Sequence, residues 1–236
     1  LQDIDMKTIG ILGGMGPDAT ADFFTKLLSF DTAARDQDHV HVLIECDPSI
    51  PDRTAFILGK GPDPLPAMLA SVRRLEQAGA EIAGITCMTA HHFLPRIREQ
   101  SRLRFLSALE VMAAGLAEHH PEIEKLGILA TMGSRRARLY ETSLPELDIL
   151  WPSEQDQQAL VMEAIYGKKG IKAGVRGEPA KRLLLQAAGR LIDAGAQAIV
   201  AGCTEVPLAL RQEDLPVPLL DPMTGLALAL VREARS

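Results

Sequence analysis

The feature that most restricts the fold of this chain is an internal repeat. Ile9-Gly10-Ile11-Leu12, then two residues, then Met15-Gly16, has a counterpart in Leu126-Gly127-Ile128-Leu129, two residues, Met132-Gly133, at an offset of 117. A second element repeats at an offset of 116. Arg74-Leu75 with Ala78-Gly79-Ala80 precedes Cys87, and Arg190-Leu191 with Ala194-Gly195-Ala196 precedes Cys203. Several matches at nearly one offset imply a duplication. In each copy the glycine reads as a helix stop. A short apolar strand follows, and the cysteine falls at its C-terminal end. Short strands alternating with amphipathic helices give βαβ units and parallel sheets. The expected fold class is α/β, with two pseudo-symmetric parallel-sheet domains.

The repeat also sets boundaries. The first half is expected over about 6–112 and the second over about 113–221, with a last helix, 222–236, packing back on the first half. The stretches 103–117 and 217–231 read as the closing strand-helix pair of each half. Pro17 and Asp18 open a helix with Phe23, Phe24, Leu27 and Leu28 on one face. Ligands of parallel sheets bind beyond the carboxyl ends of the strands. That edge would carry Gly13–Pro17, Thr131–Ser134, Cys87 and Cys203. If the halves face each other across a pseudo-two-fold axis, the active site lies between them and the two cysteines share it.

Composition narrows the partners. A chain of 236 residues that is 47% hydrophobic can bury a large core. A net charge of −6 argues against nucleic acid as a main partner. The basic cluster Arg135, Arg136 and Arg138 reads as a solvated helix face. No apolar run reaches the ~18 residues of a membrane span. Met6 reads as a natural start, with residues 1–5 ahead of it, and no secretory signal is evident. The three cysteines form no CxxC and no even framework, which favours a reduced, cytoplasmic protein. Cys46 reads as a packed small hydrophobe. The adjacent pairs His91–His92 and His119–His120 diverge on a helix, so no metal site is expected.

The segments GILGGMGPDAT, SIPDRTAFILGKGPDP, CMTAH, IKAG and AGCTEVPL followed by VPLLDPM resemble the aspartate/glutamate racemase superfamily, in its aspartate racemase branch, from Met6 to about Met223. The resemblance implies racemization of an amino acid without pyridoxal phosphate or metal, with Cys87 and Cys203 as acid and base on opposite faces of the substrate. It also implies a homodimer acting on a small acidic amino acid. Arg53 resembles the family's carboxylate-binding arginine and Lys172 its second cation. Met15, Gly16, Met88, Thr89, Thr131 and Thr204 complete the expected substrate contacts. Two positions depart from the family pattern. Met88 stands where an asparagine is usual and has no hydrogen to donate. Asp47 also replaces an asparagine and would bring a negative charge if it reached the substrate.

The chemistry fits these residue types. Inverting an α-carbon requires removal of a proton from one face and delivery to the other, and two bases achieve this without moving. The α-proton is weakly acidic, so a reactive base and electrostatic support are both needed. Thiolate suits the task, and a helix beginning at each cysteine would favour that form. An arginine grips a carboxylate with two parallel hydrogen bonds. The alternative for Arg53 is an ion pair with Asp47 or Asp52, and for Lys172 an exposed surface charge. Each threonine could instead cap its own helix. His91, one turn after Cys87, could tune the thiolate or serve the local structure, and Glu205 stands two residues after Cys203. The Tyr166–Gly170 loop could close as a lid.

Overall fold

The structure is a computed structural model that describes residues 6–175 and 177–236. The start expected at Met6 leaves residues 1–5 outside the described residues. The chain divides into two compact units, one of residues up to Met112 plus Met223–Ser236, the other Ala113–Pro222.

In the first unit, β1 (Ile9–Gly13), β2 (Val42–Cys46), β3 (Ile82–Ile85) and β4 (Arg104–Phe105) form a parallel sheet in the order β2-β1-β3-β4. In the second, β5 (Lys125–Ile128), β6 (Asp148–Leu150), β7 (Ala198–Val200) and β8 (Leu219–Leu220) repeat that order as β6-β5-β7-β8. The α/β expectation with two matching parallel sheets is met. The inner strands β1, β3 and β7 are buried along their whole length. This is why they read as continuous apolar runs rather than alternating ones. β2 lies at an edge, and its residues Ile44 and Cys46 are exposed. Cys46 is therefore not the packed hydrophobe expected, because an edge strand leaves alternate side chains uncovered.

The repeated motifs have one physical explanation. The helices Leu65–Gln77 and Glu178–Asp193 both end in a Schellman motif. Gly79 and Gly195 take φ of 94° and 98°. The Ala80 N–H bonds the Leu75 carbonyl at 3.0 Å, and the Ala196 N–H bonds the Leu191 carbonyl at 2.9 Å. Each turn then packs against the first strand of its sheet. A Cβ on Gly10 would lie 3.0 Å from Ala80 Cβ, and one on Gly127 would lie 3.0 Å from Leu191 Cβ and 3.1 Å from Ala196 Cβ. The glycine of one motif and the Ala-Gly-Ala turn of the other are thus two sides of one close contact, which explains why they recur together.

Each unit has its own core. Leu69, Val72, Ile85, Phe93 and Phe105 belong to the first, and Val161, Leu184, Leu191, Ile199 and Val206 to the second. The helix Pro17–Phe30 buries Ala19, Thr20, Phe23 and Leu27. Leu28 is exposed, so the buried stripe is narrower than the sequence suggested and favours the i, i+4 pair Phe23 and Leu27. The last helix, Pro222–Ala234, lies on the first sheet, with Leu226 and Leu230 against Gly84 of β3. Lys7 and Arg104 pair with Glu233, while Arg235 pairs with the buried Asp31. Among the described residues, no helix is long and apolar enough to cross a membrane.

Candidate active site

With strand order 2-1-3-4, the chain leaves the first strand toward one edge and returns on its other side. This creates a crevice beyond the carboxyl ends of the two inner strands. In the first unit, those are β1 and β3. Beyond β1 lie Met15 and Gly16, and two residues beyond β3 lies Cys87. Beyond β5 and β7 in the second unit lie Thr131 and, three residues past its strand, Cys203. Both cysteines stand past their strand ends rather than on them, and both sulfur-bearing residues are buried, 6% and 5% exposed.

The first unit assembles its set tightly. Thr20 fastens the glycine-rich turn. Its hydroxyl donates to the Gly16 carbonyl at 2.9 Å and accepts from the Gly14 N–H at 2.9 Å. Thr86, at 3.1 Å, must then be the donor to Thr20, tying the turn to the end of β3. Arg53 is buried. Its guanidinium donates to the Met15 carbonyl at 2.9 Å and to the Pro51 and Ile50 carbonyls at 3.0 and 3.2 Å. Three backbone carbonyls thus hold it in place. Asp52 caps the helix Arg53–Ile57 by accepting from the Ala55 N–H. Asp47 accepts from the Ser49 N–H and hydroxyl and pairs with Arg74 at 3.1 Å. Bonds from Ser49 and the Arg74 charge hold its pKa below the usual value. Its negative charge is thus already matched. Met88 and Thr89 are buried beside Cys87.

His91 is a structural clamp. Its Nε2 accepts from the Ala108 N–H at 3.1 Å, which leaves Nδ1 protonated to donate to the Cys87 carbonyl at 3.0 Å. Burial lowers its pKa to about 4, so the ring is neutral near pH 7. It fixes the backbone of Cys87 and brings no charge to the sulfur.

In the second unit, Thr131 caps the helix Met132–Arg136, accepting from the Ser134 N–H at 3.3 Å. Lys172 is no surface charge. Its ammonium bonds Glu205 Oε1 at 2.7 Å and lies 5.6 Å from the Tyr166 ring centroid. Glu205 Oε2 accepts from Cys203 Sγ at 2.9 Å and from the Thr204 hydroxyl at 3.2 Å. Burial and the Glu205 carboxylate push the Cys203 pKa well above its ordinary value, and Lys172 opposes them. The helix-dipole expectation is thus corrected at Cys203. Only the short 3-10 turn Val206–Leu208 follows it, too little to offset desolvation and a like charge.

Two contributors were not foreseen. The Tyr140 hydroxyl donates to the Gly202 carbonyl at 2.9 Å, anchoring the residue before Cys203. The repeat held the signal, since Tyr140 occupies the place of Phe23 and adds only a hydroxyl. The buried Gln157 donates from Nε2 to the Ala130 carbonyl at 2.8 Å. Nothing in its sequence context marked it. Arg135 also departs from the solvated-face reading, since it lies over the Trp151 ring and donates to the Pro152 carbonyl.

Residues 12–230 match the Asp/Glu/Hydantoin racemase family. The chain belongs to that family. It is similar to the aspartate racemase of Picrophilus torridus, with 27% identity and a TM-score of 0.83 over 97% of this chain and 94% of that one. The broad specificity amino-acid racemase RacX of Bacillus subtilis is 24% identical, over 94% of this chain and 96% of its own length. A glutamate racemase from Francisella tularensis shares the fold at a TM-score of 0.66 and 17% identity, over 96% of this chain and 80% of that one. Together these likenesses support an amino-acid racemase.

Proposed function

We propose that the protein is a cofactor-independent racemase of a small acidic amino acid, most simply aspartate or glutamate, working by a two-base mechanism. Cys87 and Cys203 take opposite faces of the α-carbon. One, as thiolate, removes the α-proton, and the other, as thiol, delivers a proton to the far side. The roles exchange for the reverse reaction. The observation that carries this reading is the equivalence of the two thiols. Each is buried just past the third strand of its unit, beyond the carboxyl edge where α/β sheets bind ligands.

The remaining residues have supporting roles on this reading. Arg53, fixed by three carbonyls, offers a preorganised guanidinium for a carboxylate. Lys172 supplies the second cation, beside the Tyr166 ring. Met15, Gly16, Thr89, Thr131 and Thr204 surround the substrate's polar ends. Thiols that must cycle between S–H and S⁻ require a reducing setting, which favours the cytoplasm. A second reading, a wider substrate range, is favoured by Met88, which is buried beside Cys87 and has no hydrogen to donate. Circular dichroism of optically pure aspartate, glutamate and a panel of neutral amino acids tests both. Loss of signal with the acidic pair alone supports the first reading, and loss across the panel the second. No loss with any amino acid would overturn both.

A further inference from the structure

Glu205 is the one charged side chain bonded to a cysteine sulfur among the described residues. Its side chain is only 5% exposed, and both of its oxygens are engaged. Lys172 holds Oε1 at 2.7 Å, while Oε2 faces Cys203 Sγ at 2.9 Å and the Thr204 hydroxyl at 3.2 Å. An ionised carboxylate accepts hydrogen bonds and donates none, so the Cys203 contact exists only while the sulfur carries its proton. Loss of that proton would set two negative charges against each other in a buried place. The charged groups acting on this sulfur are Glu205, from its own loop, and Lys172, from the turn Ile171–Ala173, with opposite signs. Cys87 sits in a different setting. No hydrogen bond reaches its sulfur among the described residues, and the nearby His91 is neutral and spends its proton on the Cys87 carbonyl.

We propose that Glu205 is a positioning residue that holds Cys203 as the protonated, proton-donating partner in the resting enzyme, with Lys172 as its counterweight. The resting enzyme is thereby set for the enantiomer whose α-hydrogen faces Cys87. The Cys203 S–H bond breaks as its proton passes to the α-carbon, the electron pair stays on sulfur, and the Cys87 thiolate gains the proton it removed. An anionic substrate that draws on Lys172 would weaken the counterweight at the moment of binding. The catalytic meaning of this inference rests on the two-thiol reading above.

The test titrates one sulfur. Cys46→Ser with Cys87→Ser leaves Cys203 as the sole thiol, and ultraviolet thiolate absorbance against pH gives its midpoint. Adding Glu205→Gln is expected to lower the midpoint by about one pH unit or more, roughly a tenfold gain in thiolate at fixed pH. Adding Lys172→Met is expected to raise it. A midpoint unmoved by Glu205→Gln, or shifts of the same sign in both variants, would overturn the proposal. If Glu205→Gln does not fold, Lys172→Met decides alone: an upward shift supports the proposal and any other result overturns it. With all three cysteines present, Glu205→Gln should displace the pH–rate profile, whereas a purely structural loss would lower the rate equally at every pH. The titration reads the sulfur whether or not the chain racemizes. A chain that titrates as expected but inverts no amino acid sinks the functional reading. A working racemase whose titration ignores Glu205 sinks only this one.

Discussion

The loops after β3 and β7 descend from one template and now differ where it matters. Aligned on their cysteines, Met88 corresponds to Thr204, Thr89 to Glu205, and His91 to Pro207. The strand, the close glycine contact and the Schellman turn are the same in both units. Around the first sulfur, the polar partner is a neutral imidazole bonded to the backbone. Around the second, it is a carboxylate bonded to the sulfur itself, with a lysine behind it. Duplication supplied two equivalent positions, and divergence immediately after each cysteine made the two thiols chemically unequal. A racemase has use for both properties, since one proton must leave while another arrives.

The harshest way to break this comparison is to remove each sulfur in turn. Cys87→Ser and Cys203→Ser are each expected to lower kcat about 10³-fold, within the range for loss of a positioned acid or base. Steady-state rates check this, and a variant keeping most of the parent activity would remove its cysteine from the mechanism. Arg53→Ala sharpens the account of recognition. It should reduce kcat/KM for acidic substrates about 10²-fold more than for neutral ones. Equal losses would make Arg53 a purely structural anchor of the Met15 and Pro51 carbonyls.

His91 tests the claim that the first unit's partner is structural. Its folded pKa is depressed to about 4, so the unfolded chain takes up a proton first as pH falls. Its contribution to stability is full above about pH 6.5 and is lost between about 6.5 and 4, amounting to about 3 kcal/mol. Calorimetric Tm should therefore fall over that window in the parent and fall less in His91→Gln. An identical fall in both would contradict a buried neutral ring. The smallest effect is expected for Tyr140→Phe, which restores the residue type found at Phe23. It should cost about 1 kcal/mol for one buried hydrogen bond to Gly202. An unchanged Tm would mean that this hydroxyl adds nothing to the Cys203 loop.

Much of this was legible in the sequence because the repeat encodes backbone geometry. Gly10, Gly79 and Cys87, with Gly127, Gly195 and Cys203, carried the α/β architecture and the two sheets. Side-chain partnerships were less legible, because they depend on which long-range neighbour a group meets. Thr20 reaches Thr86, Gln157 reaches the Ala130 carbonyl, and Arg53 reaches the Met15 carbonyl. No local pattern announces such pairs. Leu28 and Cys46 misled for a related reason: hydrophobic residue types do not reveal whether a partner covers them. The helix-dipole argument at Cys203 failed because it weighed a short turn and left out the carboxylate two residues away.

Solvent labelling in deuterated water tests the two-thiol account most directly. Optically pure L-aspartate, or the amino acid that proves to be the best substrate, is sampled early in the reaction. Two separate thiols should place one deuterium on the α-carbon of the inverted product while the remaining starting enantiomer keeps its protium. Equal labelling of both enantiomers from the outset, or an inverted product that retains its original hydrogen, would point to one base and contradict the account.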